Sequence, residues 1–437
     1  MIIEIKVANY RSINAEQTLS FVAEKAVRHP GNLITQKGYK LLKAVALFGA
    51  NASGKSNFLR ALAFAIYFMN DSATRYNEGD PIPFSEPFRL DFKSRRAPSS
   101  FEISFLNEQT LYRYGFSADT ERVHTEYLYT QKATEKEETL LFERGYDGIM
   151  KQSTWEFGGS LASVKSMLEQ RTRSNALLLS VGARENVPEL LIPYSYFREH
   201  TATMSMCSNK DELIRTTATE YAKGGKLQDR ILTLLKSADI DIEAINIEQQ
   251  VFKFASATDP AMPVELRTLL ALAGSQAGGL SRHLITASRK DNAGRMQNFD
   301  FINEESEGTQ RLFAILGPLL DALDSGSFII IDEIDASMHP LLTRRLLELF
   351  QSPEANPKGA QLLFTTHDPA LLDQELFRRD QIWLVEKRQG ASEFYSLADV
   401  DPAPRNTEAF LRNYLAGRYG GTPQIGLPFD FALKQAE

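Results

Sequence analysis

Leu47-Phe48-Gly49-Ala50-Asn51-Ala52-Ser53-Gly54-Lys55-Ser56-Asn57 is the stretch on which the reading of this chain turns. The residues ahead of it, KAVALFG (43–49), form a short apolar run of strand length. Behind it, Phe58, Leu59, Leu62 and Ile66 recur at helical spacing. The order is therefore strand, glycine loop, helix, and the loop contains Gly-x-x-x-x-Gly-Lys-Ser from Gly49 to Ser56. Gly49 and Gly54 let the backbone turn with its N–H groups inward. With Ala50, Asn51, Ala52, Ser53 and Asn57, they and the following helix N-terminus outline an anion cradle. Lys55 reaches the β- and γ-phosphates of a nucleotide, and the Ser56 hydroxyl is placed to ligate Mg²⁺.

Three later stretches fit the same site. Phe328-Ile-Ile-Ile-Asp-Glu is an apolar strand whose two acids emerge at its carboxyl end, the edge at which open α/β sheets bind ligands. Asp332 is expected to hold Mg²⁺ and Glu333 to act as general base on the attacking water. Phe364-Thr-Thr-His-Asp ends the next apolar strand, and His367 is expected to sense the γ-phosphate and position the water. Glu304-Glu-Ser-Glu-Gly-Thr-Gln-Arg leads into a helix. There Ser306, Glu307, Gly308 and Thr309 offer either further phosphate donors or an ordinary N-cap. Pro318, further along, is expected to kink or end that helix.

Around these motifs the chain reads as α/β. IIEIKV alternates with period two and suggests an opening strand. Between residues 101 and 157 short strands rich in aromatic and β-branched residues alternate with polar turns, the pattern of an antiparallel meander. KATEKEE within it reads as a solvated hairpin loop. Helical periodicity dominates from about 159 to 235, and this block is expected to be an insertion that projects from the core. IEAINIEQQVFKF resumes strand character, and HPLLTRRLLELF reads as a helix with Pro340 in its first turn. The expected division is 1–158, 159–235 and 236–437.

The 437 residues carry a net charge of −7, which excludes a broad nucleic-acid footprint but leaves a local basic groove open. One cysteine, Cys207, excludes an intramolecular disulfide and fits a reducing compartment. Glu4 and Lys6 interrupt the first apolar run, so no secretory signal is expected there. No apolar stretch is long enough to span a bilayer. A cytoplasmic protein without membrane partners is the expectation.

GANASGKSN, ESEGTQR, IIIDEIDASMHP and FTTHD, in that order, resemble the ABC-type ATPases, specifically SMC and double-strand-break-repair heads and the OLD-like ATPases. The resemblance covers roughly residues 1–70 and 280–420. It implies a P-loop NTPase fold with a mixed parallel core sheet, an antiparallel meander lobe and a helical insertion. These stretches would be the Walker A loop, the signature, Walker B with its D-loop (Asp335, Ala336, Ser337) and the switch histidine. ANYRS matches the same group, which makes Arg11 a candidate nucleotide contact. FLRNYLAGRYGGTP is similar to the C-terminus of ATPases in anti-phage and abortive-infection loci, such as PARIS and retron-linked systems. The signature departs from the transporter form, with Glu307 where a glycine is usual.

By this resemblance ATP with Mg²⁺ would lie between Walker A of one copy and Ser306 and Gly308 of another, in a homodimer or higher oligomer. The implied activity is slow, conformationally coupled ATP hydrolysis. Its expected use is to hold, release or activate a separate effector, a toxic nuclease encoded nearby, in response to a phage-derived trigger. The alternative is a repair-like ATPase that clamps DNA. A transporter ATPase fits less well. A nuclease site in the chain itself, from Glu386, Asp399 and Asp401, is disfavoured because the spacing fits a strand hairpin.

Overall fold

The computed structural model describes residues 1–25, 28–132, 135–204, 210–252, 280–405 and 408–423. Cys207 lies outside them, as do Ala133 and Thr134 of the charged loop and Lys253 and Phe254 of the expected strand. The chain divides into two compact units. The first comprises Met1–Cys207, Asp321–Asp335 and Pro340–Glu437, and the second Ser208–Leu320 and Ala336–His339, in each case over the described residues.

Two sheets build the first unit. One contains β1 (Ile2–Ala8), β2 (Gln17–Ser20), β6 (Ser99–Asn107), β7 (Thr110–Ala118), β8 (Val123–Lys132), β9 (Thr139–Asp147) and β10 (Gln152–Phe157). Its order is β10-β9-β8-β7-β6-β1-β2, antiparallel throughout. Alternation sets its inner face: Phe101, Ile103 and Phe105 of β6 are buried, whereas Glu102 and Ser104 between them are not. The ribbon β3 (Leu33–Gln36) and β4 (Tyr39–Leu42) precedes the second sheet.

That second sheet joins β5 (Ala44–Gly49), β11 (Thr201–Met204), β15 (Phe328–Ile331), β16 (Gln361–Thr365), β17 (Ile382–Arg388) and β18 (Ala391–Ser396). The order is β11-β15-β16-β5-β17-β18, parallel except for the β17–β18 hairpin. All six residues of β5 are buried, so both faces are covered there, as its unbroken apolar run requires. Helices α1 (Lys55–Arg75) and α8 (Pro340–Gln351) both pack on β5.

α1 also packs on β1 and β6 of the meander, and its buried set (Phe58, Leu59, Leu62, Phe64, Ala65, Phe68, Met69) runs around much of its circumference. Phe64 meets Phe101 edge-on at 5.4 Å between ring centroids, and Phe68 meets Phe116 at 5.7 Å. Such aromatic pairs add about 1 kcal/mol each beyond area burial. They tie the helix behind the glycine loop to the meander.

Residues 159–204 group with the first unit and not with the second. Helices α2 (Lys165–Arg171), α3 (Leu178–Arg184) and α4 (Pro188–Glu199) belong to the first unit, where α3 and α4 pack on α1. Glu126 of β8 accepts the Leu178 and Leu179 N–H groups at 2.7 and 3.0 Å, fixing the start of α3. β11, which periodicity absorbs into the helical block, adds to the core sheet beside β15 and is opened by the Phe328 N–H to His200 O bond of 2.9 Å.

The second unit holds α5 (Lys210–Tyr221), α6 (Lys226–Ser237) and most of α7 (Glu307–Ser325). Its three-stranded antiparallel sheet consists of β12 (Ala244–Phe252), β13 (Leu280–Lys290) and β14 (Met296–Asp300). Phe313 packs against Phe301 at 5.0 Å and Tyr221 at 6.0 Å. Pro318 does not end α7, one of the two outcomes expected of it: the helix runs on to Ser325. The carbonyl that a residue 318 N–H would have bonded, Ala314 O, instead accepts the Thr217 hydroxyl at 2.9 Å. Among the described residues no helix is long and apolar enough to cross a membrane.

Candidate functional site

A parallel sheet delivers all its strand ends to one edge. β5 ends there in the glycine loop, β15 in Asp332 and Glu333, and β16 in Thr365, Thr366 and His367. A cleft of about 630 Å³ opens over that edge, lined by the loop residues Asn51 to Asn57 together with Arg60, Glu333, His367 and Lys387. Its size lies in the range usual for small-molecule sites.

Two positions of the loop require glycine. A Cβ on Gly49 would collide with Val385 O of the neighbouring strand. Gly54 caps α1 at φ +115, a region L side chains avoid, and a Cβ there would press on the Ser392 and Ser12 hydroxyls. Ala52 is also left-handed, at φ +60. Beneath the loop, Ser392 Oγ donates to Ser53 O at 2.5 Å and lies 2.8 Å from Ser12 Oγ, which accepts Asn57 Nδ2 at 2.8 Å. Ser12 and Ser392 are 380 positions apart. No local spacing announces them.

Lys55 is buried, and its Nζ donates to Gly49 O at 2.7 Å and Ala50 O at 3.2 Å. Burial pushes the amine down to about 8, against the opposing pull of Asp332, Glu333 and Asp335. Phosphate binding favours the charged amine. Affinity for ATP is therefore expected to be level below pH 8 and to fall by up to about tenfold per unit above it, until the raised value of the complex is reached. Titrations between pH 6.5 and 9.5 test this; a flat profile excludes Lys55 as the titrating contact.

Asp332 and its neighbours form one connected set. Ser56 Oγ donates to Asp332 Oδ1 at 3.0 Å, and Thr365 Oγ1 donates to the same oxygen at 2.6 Å. Thr365 Oγ1 also accepts the Glu333 N–H at 2.7 Å, holding Glu333 at φ +52. A non-glycine residue in that region stores about 1 kcal/mol or more, a strain that concentrates at functional sites. Glu333 Oε1 lies 3.4 Å from His367 Nε2, and the His367 N–H donates to Asp335 Oδ2 at 3.2 Å. Thr365 thus organises both acids. It stands inside FTTHD, where the histidine drew attention first.

The donor set suits Mg²⁺. No cluster of three or more His, Cys, Asp or Glu that could hold a metal exists among the described residues. Ser56 and Asp332 would supply one hydroxyl and one carboxylate, and nucleotide phosphates the rest, the usual way Mg²⁺ is bound.

Other expected contacts sit elsewhere. Arg11, at φ +49, donates to Glu86 Oε1 at 2.7 Å and does not line the cleft. Its neighbour Ser12 reaches the loop instead. Within the second unit Ser306 is an N-cap: its Oγ accepts the Thr309 N–H at 3.1 Å, and the two hydroxyls lie 2.9 Å apart. Glu307 is exposed, and a Cβ on Gly308 would press on Ser337 O at 2.6 Å, so the stretches around Gly308 and Ser337 touch within that unit. Glu386 accepts the Gly421 N–H at 2.9 Å in the β17–β18 hairpin, in keeping with the hairpin reading of that segment.

The sheet order, the loop on β5 and the acids ending β15 define an α/β fold of the P-loop NTPase kind. The chain belongs to the family described as AAA domain, putative AbiEii toxin, type IV TA system, whose model matches residues 44–373. Among solved structures it is similar to an SMC head bound to the C-winged helix domain of ScpA (14% identity, 92% of this chain and 98% of that chain covered, TM-score 0.38). It is also similar to the recombination mediator protein RecF with ATPrS (13%, 90% and 98%, TM-score 0.29) and with ATP (14%, 85% and 94%, TM-score 0.29). No curated protein matches it.

Proposed function

We propose that this chain is an ATP-hydrolysing switch that closes as a dimer on ATP and thereby holds or activates a separate effector in an abortive-infection response. The observation that carries the hydrolytic part is the connected set Ser56–Asp332–Thr365–Glu333–His367 opening into one cleft with the glycine loop.

In this reading Lys55 and the loop N–H groups hold the phosphates. Glu333 takes the proton of the attacking water, and His367, within reach of Glu333, orients that water. Bound Mg²⁺, on Ser56 and Asp332, would neutralise phosphate charge. Asp335 holds the backbone of His367, so the water-positioning group is tied to the D-loop. Ser306 and Gly308 of a second copy would complete the site. Loss of the γ-phosphate would then weaken closure, which makes ATP state a signal.

The family description supports the abortive-infection setting, and a toxic nuclease encoded nearby is the effector this reading expects. Two measurements test it. Sizing of the purified protein should show ATP-dependent dimers that revert with ADP; an unchanged mass in both nucleotides sinks the dimer switch. In a bacterial host carrying the gene with its neighbours, phage plating should fall and recover with Glu333→Gln. Equal plating with and without the genes removes the defence role. ATP-dependent duplex binding with a steep salt slope would favour a DNA clamp instead.

A further inference from the structure

We propose that Lys387 contacts the terminal phosphate of the bound nucleotide and makes the cleft prefer a triphosphate over a diphosphate. This rests on the phosphate-cleft reading above and adds a residue that no glycine-loop motif contains.

Strand placement comes first. β17 runs parallel to β5 with Val385 opposite Gly49, so Lys387 lies two residues beyond the point where the loop begins, still paired with Ser392 of β18. β16 and β17 flank β5 on its two sides. His367 and Lys387 therefore stand on opposite sides of the loop, and both line the same cleft. Glu333 and His367 mark the part of the cleft where a terminal phosphate would react, and Lys387 lines that same cleft from the β17 side.

Side-chain engagement is the second observation. Arg388 pairs with Glu386 at 2.9 Å and Glu393 at 3.2 Å, and Glu386 also accepts the Gly421 N–H. Alternation along a strand turns the residue between them to the other face. Lys387 is exposed and makes no ion pair or side-chain hydrogen bond among the described residues. It also borders a second cleft of about 450 Å³ along the outer side of Ala50 to Ser53, so its ammonium can swing along the loop.

Charge decides what such a lysine reads. Asp332 and Glu333 place two carboxylates beside the reactive phosphate, and a triphosphate brings one more phosphate group than a diphosphate. A mobile ammonium at that end offsets the additional charge and acts little on the inner phosphates, which the loop N–H groups and Lys55 already hold.

Calorimetric titration with a non-hydrolysable ATP analogue and with ADP tests the assignment on wild type, Lys387→Ala, Lys387→Arg and Lys55→Ala. Lys387→Ala should weaken the ATP analogue about tenfold and ADP by less than about twofold, with Lys387→Arg close to wild type. Equal losses for the two nucleotides, or no loss for either, overturn the role of Lys387. If Lys55→Ala still loses binding in that case, the nucleotide site stands and only this inference fails. A folded wild type that binds neither nucleotide overturns both.

Discussion

Lys55→Ala is expected to weaken ATP binding by about 3 kcal/mol, on the order of 100-fold, and to abolish hydrolysis at ordinary nucleotide concentrations. The argument is local. Lys55 is the cation at the start of α1, and its Nζ already sits between two carbonyls of the glycine loop, Gly49 O and Ala50 O. Alanine leaves the turn intact, because the loop is shaped by Gly49, Gly54 and the Ser392–Ser53 bond rather than by the lysine. Folding should not suffer either. Burial disfavours the charged amine, as its depressed pKa of about 8 records, so its removal relieves a desolvation cost while giving up two hydrogen bonds. Calorimetry with a thermal melt separates the two effects. Unchanged affinity in a folded variant removes the central claim of a nucleotide site.

Glu333→Gln is expected to bind ATP within a few-fold of wild type and to hydrolyse it about 10²–10⁴ times more slowly, the usual contribution of a general base. Glutamine keeps the shape of the side chain and the backbone N–H bond to Thr365 Oγ1 that fixes residue 333 at positive φ. What it cannot do is take a proton from water. Asp332, with its own bonds to Ser56 and Thr365, is left as it was. The variant should therefore accumulate in the ATP-bound state and, in the dimer reading, as closed dimers visible by sizing. Single-turnover phosphate release is the direct readout. A rate close to wild type assigns the base elsewhere, and slow hydrolysis with monomers only separates the chemistry from the proposed closure.

Much of the site was legible because its chemistry is encoded locally. The spacing of Gly49, Gly54, Lys55 and Ser56 needs no partner to be recognised, and FIIIDE carries its strand and its acids in six consecutive residues. The meander was equally readable, since period-two alternation reports directly which face is buried. β11 was not. Four residues at the edge of a parallel sheet bear little pattern of their own, and what makes them a strand is the register with β15, more than 120 residues away. That α7 continues through Pro318 has a related reason. Proline removes a donor wherever it stands, but whether a helix tolerates that depends on who satisfies the freed carbonyl, and here it is Thr217, 97 positions from Ala314.

By itself, then, the sequence determined that the chain carries a glycine loop between a strand and a helix, a carboxylate pair at a strand end and a histidine after the next strand, because each is a short run whose geometry is set by neighbouring residues. Tertiary structure alone decided that Thr365 organises both acids, that Ser12 and Ser392 brace the loop, that Arg11 turns to Glu86, and that Lys387 joins the cleft. All four depend on which strands lie side by side. That order follows from how apolar runs hundreds of residues apart bury one another, and no local spacing encodes it.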